Sequence, residues 1–391
     1  MIHDNHAPRV VIIGGGAIGS SIAYHLAARP DFRGTVTVLE RDPTYARASS
    51  ALSASSIRQQ FSTPVNIRLS QFGIEFLRRA GTTLAVDGER PALGLREDGY
   101  LFLASPDGVG ALHENHALQC RLGADIAWMH SNALAERFPW LCTDGIAAGV
   151  LGLSGEGWFD GPALLQAFRR KARALGVAYR AAGAAAIVPG GVRLTDGEVV
   201  AAEVRVIAAG AWSAPIAATV GLDLPIRPRR RIVFVVACRT PLPGCPLLID
   251  PSGVWMRPEG GRFICGRSPT GSEPDPDEPP LTVDEAMFTD SVWPVLAARV
   301  PPMDTLKLTA SWAGYYEMNL FDHNGVVGAV PGAPGVFVAA GFSGHGIQHS
   351  PGVGRGIAEL ILDGRYSTLD LSPLAPGRIA AGARLVERNI V

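Results

Sequence analysis

The glycine run Gly14-Gly15-Gly16-Ala17-Ile18-Gly19 constrains this chain more than any other feature. It follows the apolar stretch Arg9–Ile13 and opens the small-residue stretch Ala17–Ala28. A second apolar run, Thr35–Leu39, then ends in Glu40. Strand, glycine turn, helix and a second strand closed by an acid make the unit that holds a dinucleotide. Gly14 is expected to form the tight turn, Gly16 to let the backbone approach a pyrophosphate, and Gly19 to let helix pack on strand. N–H groups at the helix start, around Ala17 and Ile18, would face the phosphates, and Glu40, with Arg41 beside it, would take a ribose hydroxyl pair. A bare G-x-G-x-x-G also arises as a chance turn. Its place between two strand-like runs, with the acid 21 residues past Gly19, gives it meaning.

A chain of 391 residues exceeds one simple core, so two domains are expected. With 47% apolar and 18% charged residues it has the composition of a soluble globule, and no apolar stretch approaches the ~20 residues of a membrane helix. Met1–Pro8 is short and polar and leads into the first strand, so neither a signal nor a transit peptide is expected and the expected location is cytoplasmic. A net charge of −1 with both signs interspersed offers nothing for nucleic acid. The five cysteines form no C-x-x-C pair and read as free thiols. Arginines number 33 against two lysines, Lys171 and Lys307. The one basic cluster, Arg229-Arg230-Arg231, reads as a strand entry crossing between domains.

Further along, helices are expected at Asn66–Ala80, Gly108–Leu122, Ser131–Phe138 and Ala163–Leu175, and strands at Gly99–Ala104, Val177–Ile187, Gly191–Thr195 and Glu203–Ala209. Asp160, with Pro162 just inside, reads as a helix cap. From Ile226 to Trp312 the texture is that of an antiparallel sheet, with strands at Arg231–Cys238, Gly253–Arg257, Arg262–Gly266 and Leu306–Ser311. The Pro/acid-rich loop Ser268–Leu281 and a helix at about Val283–Val300 interrupt it. Gly335–Ala340 is another buried strand, and a helix beginning near Pro351 closes the chain. Strand-to-glycine corners at Ala208–Gly210 and Ala340–Gly346 expose more N–H groups than a nicotinamide needs and favour a bulky, permanently held FAD. The expected fold is therefore α/β: a discontinuous Rossmann-like FAD-binding domain from 1–92, 150–225 and 326–391, with an inserted antiparallel-sheet substrate domain from 93–149 and 226–325.

Val11–Gly19 with Glu40, Val206–Trp212, Trp312–Tyr315 with Asp322–Gly328, and Ala340–Gly346 carry a resemblance across nearly the whole chain. They resemble the FAD-dependent amine and amino-acid oxidoreductases, which include sarcosine oxidase, glycine oxidase, dimethylglycine dehydrogenase and D-amino-acid dehydrogenase. Ser56–Ser62, Gly266–Pro269, Trp312–Tyr316 and Phe321–Gly328 are similar to a narrower subgroup with a mitochondrial member linked to assembly of respiratory complex I. The resemblance implies FAD lying extended, its adenosine at Gly14–Gly19 and Glu40, with Ser49 and Ser50 at the pyrophosphate and Ala184 near the adenine. Ala209, Gly210 and Trp212 would meet it at the second corner. The isoalloxazine would lie near Gly341, Gly344, His345, Gly346, Ile347 and Gln348.

The implied reaction is oxidation of a small amino acid, above all an N-substituted glycine such as sarcosine or iminodiacetate, to an imine that hydrolyses. Oxygen, a quinone or an electron-transfer flavoprotein would accept the electrons. A D-amino-acid dehydrogenase, or a flavin-containing assembly protein without turnover, are the alternatives. A planar arginine fork is the natural carboxylate anchor. Arg58 is the first candidate, or else a salt bridge closing the pocket; Arg257 is the second, or else a strand-end charge. Tyr316 stands where glycine-oxidase-like relatives carry the anchor and would line the substrate cage or the core. His345 would touch flavin or substrate. Gln348 replaces a sarcosine oxidase lysine that helps bind carboxylate. The cysteine that attaches flavin in sarcosine oxidase corresponds to Gly314, so FAD is expected to be non-covalent. The lysine that activates oxygen there has no counterpart in Arg262–Cys265.

Overall fold

The run Arg9–Ile13 becomes a central strand of a six-stranded sheet in the computed structural model, which describes residues 7–270 and 273–389. Val10 to Ile13 are all buried because both faces of a parallel sheet are covered. The order across the sheet is Val326–Ala329, Val336–Ala340, Val204–Ile207, Arg9–Ile13, Thr35–Glu40 and Ala178–Ala181. All neighbours are parallel except Val326–Ala329, which runs antiparallel to Val336–Ala340. Helix Ala17–Ala27 packs against Gly161–Ala174 and against Gly346–Asp363 in one core, and Pro64–Thr83 packs on the last of them. The first and last approach closely: a Cβ on Gly354 would lie 2.2 Å from Ser21 Oγ. Asp160 caps the second of the three, accepting the Ala163 N–H at 2.8 Å.

An eight-stranded sheet forms the second layer, in the order Lys307–Asn319, Ile226–Ala237, Arg262–Arg267, Val254–Glu259, Leu247–Ile249, Tyr100–Ala104, Ala148–Gly152 and Ile126–His130. It is antiparallel but for the pairing of Leu247–Ile249 with Tyr100–Ala104. Phe234, Met256 and Cys265 on the sheet meet Phe288, Val292 and Leu296 from the helical segment above it. The architecture is α/β, a Rossmann-like domain with a second sheet domain. Among the described residues no helix is long and apolar enough to cross a membrane, and all five cysteines are free.

Four expectations change. The strands Ile226–Ala237 and Lys307–Asn319 run well past Arg231–Cys238 and Leu306–Ser311, paired from Ile226 with Asn319 to Ala237 with Lys307. Their alternation fails at Arg229–Arg231 and Tyr315–Glu317 because there the ladder leaves its own core, and Arg231 and Tyr315–Glu317 wall a cavity. Val177–Ile187 splits into Ala178–Ala181 and Ala184–Val188, the latter in a separate antiparallel sheet with Gly191–Leu194 and Val199–Ala201. The Ala182 N–H still donates to Glu40 O, whereas Gly183 O already accepts the Thr195 N–H, so the chain changes sheets between them. The expected domain change at residue 149 falls inside Ala148–Gly152, a strand paired with Tyr100–Ala104. Finally, the last long helix begins at Gly346 and passes through Pro351. Proline removes one helical donor; Ser350 Oγ donates to the orphaned Ile347 O at 2.8 Å, and the helix continues.

Candidate active site

The corner between Arg9–Ile13 and Ala17–Ala27 opens into a cavity of about 610 Å³. Gly14 has φ +102°, and a Cβ on it would lie 2.3 Å from Ala208 O; one on Gly19 would lie 1.9 Å from Gly14 O. Both serve the packing of the turn, and Gly19 is not part of the wall. Gly16 differs: a Cβ there would meet only Ser50 Oγ, at 3.5 Å, so the space beside it is open to the cavity. The two Glu40 oxygens accept the Gly15 N–H at 2.8 Å and the Asp42 N–H at 2.9 Å. Each keeps a lone pair for a hydroxyl donor. Ala17, Ile18, Arg41, Ser49, Ser50, Ala184, Ala209 and Gly210 continue this wall, with Trp212 beneath the Arg41 guanidinium at 3.8 Å.

The two long strands form the other end. One brings Arg231, Ile232 and Val233, the other Gly314 to Glu317, and the start of the last long helix adds Gly344, Gly346 and Ile347. The Tyr316 ring rests on Gly344 (φ +97°), where a Cβ would lie 2.3 Å from it. Glu317 was not foreseen. Its carboxylate accepts the Gly341 N–H at 2.9 Å and a second bond from the Phe342 backbone, tying strand to loop. The sequence signal was an acid placed directly after Trp312–Tyr316, in a strand too apolar to solvate it.

Burial pushes the Glu317 carboxyl up to about 7 from an unfolded value near 4.5. Between those limits the folded chain holds a proton that the unfolded chain has lost. Stability attributable to Glu317 therefore falls as pH rises from 4.5 to 7 and stays reduced above. Glu317→Gln should flatten this part of the pH dependence, gaining about 2 kcal/mol on the parent between pH 5 and pH 8 in denaturant titrations. Parallel curves for variant and parent would show Glu317 already ionised at pH 5.

Of the five residues expected to carry chemistry, only Tyr316 stands in the wall. Arg58 lies behind it, 4% exposed, donating to Gln60 O at 2.6 Å and to Asn389 O and stacked 4.0 Å over Phe61. Gln348 Oε1 accepts the Arg58 N–H at 2.8 Å and is a strut for that segment. Arg257 pairs with Glu259 and donates to Ala54 O at 2.6 Å, propping the wall from outside. His345 is enclosed by Phe61, Phe342 and His349, and burial drives its pKa well below the usual range; His349 falls to about 3. Both are neutral at ordinary pH. Gly341 is also outside the wall, its missing Cβ leaving room for Ile226 Cδ1 at 2.8 Å. The C-terminal segment covers the Arg58 side: Glu387 accepts bonds from Ser62, Thr63 and Asn66, more than 320 residues away.

This chain is 44% identical to FAD-dependent oxidoreductase domain-containing protein 1 of Xenopus laevis, over 98% of its own length and 84% of that protein. It is 28% identical to the glycine oxidase of Geobacillus kaustophilus, covering 95% and 97% of the two chains. The crystal structure of L-proline dehydrogenase from P. horikoshii superposes with a TM-score of 0.85 at 25% identity, over 97% of this chain and 99% of that one. Residues 9–360, from the first strand to within the last long helix, match the family described as DAO, FAD dependent oxidoreductase, and the chain belongs to that family.

Proposed function

We propose that this chain oxidises the C–N bond of a small secondary amino acid, an N-substituted glycine of the sarcosine or iminodiacetate class, to an imine that water then hydrolyses. The observation that carries the reading is one cavity that joins the Gly16–Glu40 corner to a wall holding Tyr316 and two arginines, Arg231 and Arg267. Two of the relatives, a glycine oxidase and an L-proline dehydrogenase, are named for amino-acid substrates, which supports the reading.

The residues fit FAD. Gly16 leaves space for the pyrophosphate beside Ser49 and Ser50, Glu40 is free to take ribose hydroxyls, and Gly344 to Ile347 would receive the ring system at a helix N-terminus that favours negative charge. When bound, FAD supplies the two-electron acceptor. The chain must then hold a neutral amine with its C–H aligned. Ile232, Val233 and Trp255 keep the site dry, and a dry site disfavours the charged ammonium form. Among the described residues no cysteine, histidine or lysine lines the cavity, which supports a non-covalent flavin. Oxygen, a quinone or an electron-transfer flavoprotein completes the cycle, and the cytoplasm, where free cysteines persist, is the proposed compartment.

Anaerobic addition of sarcosine, iminodiacetate, proline and D-alanine to the yellow holoprotein tests this. N-substituted glycines should bleach the flavin, and fast recolouring in air would mark an oxidase. Bleaching by D-alanine alone moves the reading to a D-amino-acid dehydrogenase; no bleaching by any amino acid favours an assembly protein. Acid or heat should release intact FAD. Glu40→Ala should weaken FAD retention about ten- to a hundredfold, since charge-assisted bonds are worth roughly 1.5–3 kcal/mol. An unchanged dissociation constant would place the ribose elsewhere.

A further inference from the structure

The acidic loop 273–281 is tied to four residues that line the cavity. Asp275 accepts two bonds from Arg231, from Nη1 and Nη2, both at 2.9 Å. Glu273 pairs with Arg267, Glu278 accepts the Trp212 Nε1–H at 3.0 Å, and Pro279 O accepts the Tyr315 hydroxyl at 2.6 Å. The Glu278 N–H closes the strap on Pro228 O at 2.8 Å. The loop reads Glu273-Pro-Asp275-Pro-Asp277-Glu278-Pro-Pro280; its prolines limit the entropy lost in holding the carboxylates in place.

Arg231 differs from its neighbours. Its side chain is 10% exposed, lies 5.4 Å from the Tyr316 ring centroid and lines the cavity. Arg229 also carries loop acids but is not part of the wall. Arg58 is already bonded to main-chain carbonyls. The guanidinium within the cavity that already holds a bidentate carboxylate is thus Arg231, and the carboxylate belongs to the protein.

We propose that Arg231 recognises a carboxylate of the substrate and that Asp275 is its placeholder, displaced when the ligand's carboxylate takes the fork and releases the loop. This rests on the amino-acid reading above. It adds a specificity residue and a ligand-opened strap.

Methoxyacetate, in which an ether oxygen replaces the sarcosine nitrogen, cannot form an imine and is a suitable probe. Added to the holoprotein, it should perturb the flavin spectrum and speed hydrogen exchange at the Glu278 amide; methoxyacetamide should do neither. Arg231→Gln should weaken methoxyacetate binding about 30-fold or more while FAD is retained. Asp275→Asn should tighten it several-fold and leave the loop exchanging fast without ligand. A structural ion pair would give the reverse, because Arg231 would lose its support. The proposal is overturned by Asp275→Asn weakening binding, by Arg231→Gln leaving it unchanged or losing FAD, or by a parent that ignores methoxyacetate. If methoxyacetate behaves as expected but sarcosine and iminodiacetate fail to bleach the flavin, only the oxidation reading falls.

Discussion

Gly16→Val is expected to fold normally and purify without colour. Gly16 has φ −61° and ψ −172°, a conformation open to any L residue, and its added Cβ would meet nothing closer than Ser50 Oγ at 3.5 Å. The valine methyl groups therefore extend into the cavity, where the pyrophosphate must approach the helix N-terminus. Losing two charge-assisted bonds there, each worth roughly 1.5–3 kcal/mol, weakens FAD binding by about a hundredfold or more. Gly19→Val gives the contrast. Its Cβ would lie 1.9 Å from the Gly14 carbonyl oxygen, so that variant should fail to fold. Visible absorbance and a thermal melt separate the two outcomes. A yellow Gly16→Val protein with parental FAD affinity would put the pyrophosphate somewhere else.

Asp322→Ala should cost about 3–5 kcal/mol, the penalty for stranding one member of a buried ion pair. Asp322 and Arg378 are both buried and bonded twice, at 2.8 and 3.0 Å. Asp322 also accepts from Asn319 Nδ2 and from the Asn324 and Leu385 N–H groups. One carboxylate thus joins the end of the longest strand, the turn after it and the C-terminal segment. The variant should show a lower urea midpoint and earlier proteolysis near Leu385, while molecules still folded keep their flavin. A change below about 1 kcal/mol would show that Arg378 finds other partners of equal worth, since it already donates to Leu374 O and Gly325 O.

The nucleotide corner was legible because its strand, glycine turn, helix and closing acid all lie within Arg9–Glu40. Gly19 packs on the Gly14 carbonyl inside one turn, Gly14 adopts a positive φ there, and Glu40 closes on Gly15 from the next strand. The parallel strands were legible for a similar reason: apolar runs such as Arg9–Ile13 and Val204–Ile207 are covered on both faces. The far wall of the cavity was not. Arg231 read as a strand entry, and Glu317 escaped notice, because their side of the wall depends on how far a ladder from Ile226 to Ala237 runs beyond its own core. Arg58, Arg257, His345 and Gln348 have the chemistry of a substrate site, yet they stand outside the cavity lining. Asn389 bonds to Arg58 across 331 residues and Glu387 to Ser62 across 325, and no local pattern encodes such contacts. Short-range sterics let the sequence alone determine the strand–glycine–helix corner; which polar side chains face the cavity beside it was decided by strand register and the path of the C-terminal segment, and those exist only once the chain has packed.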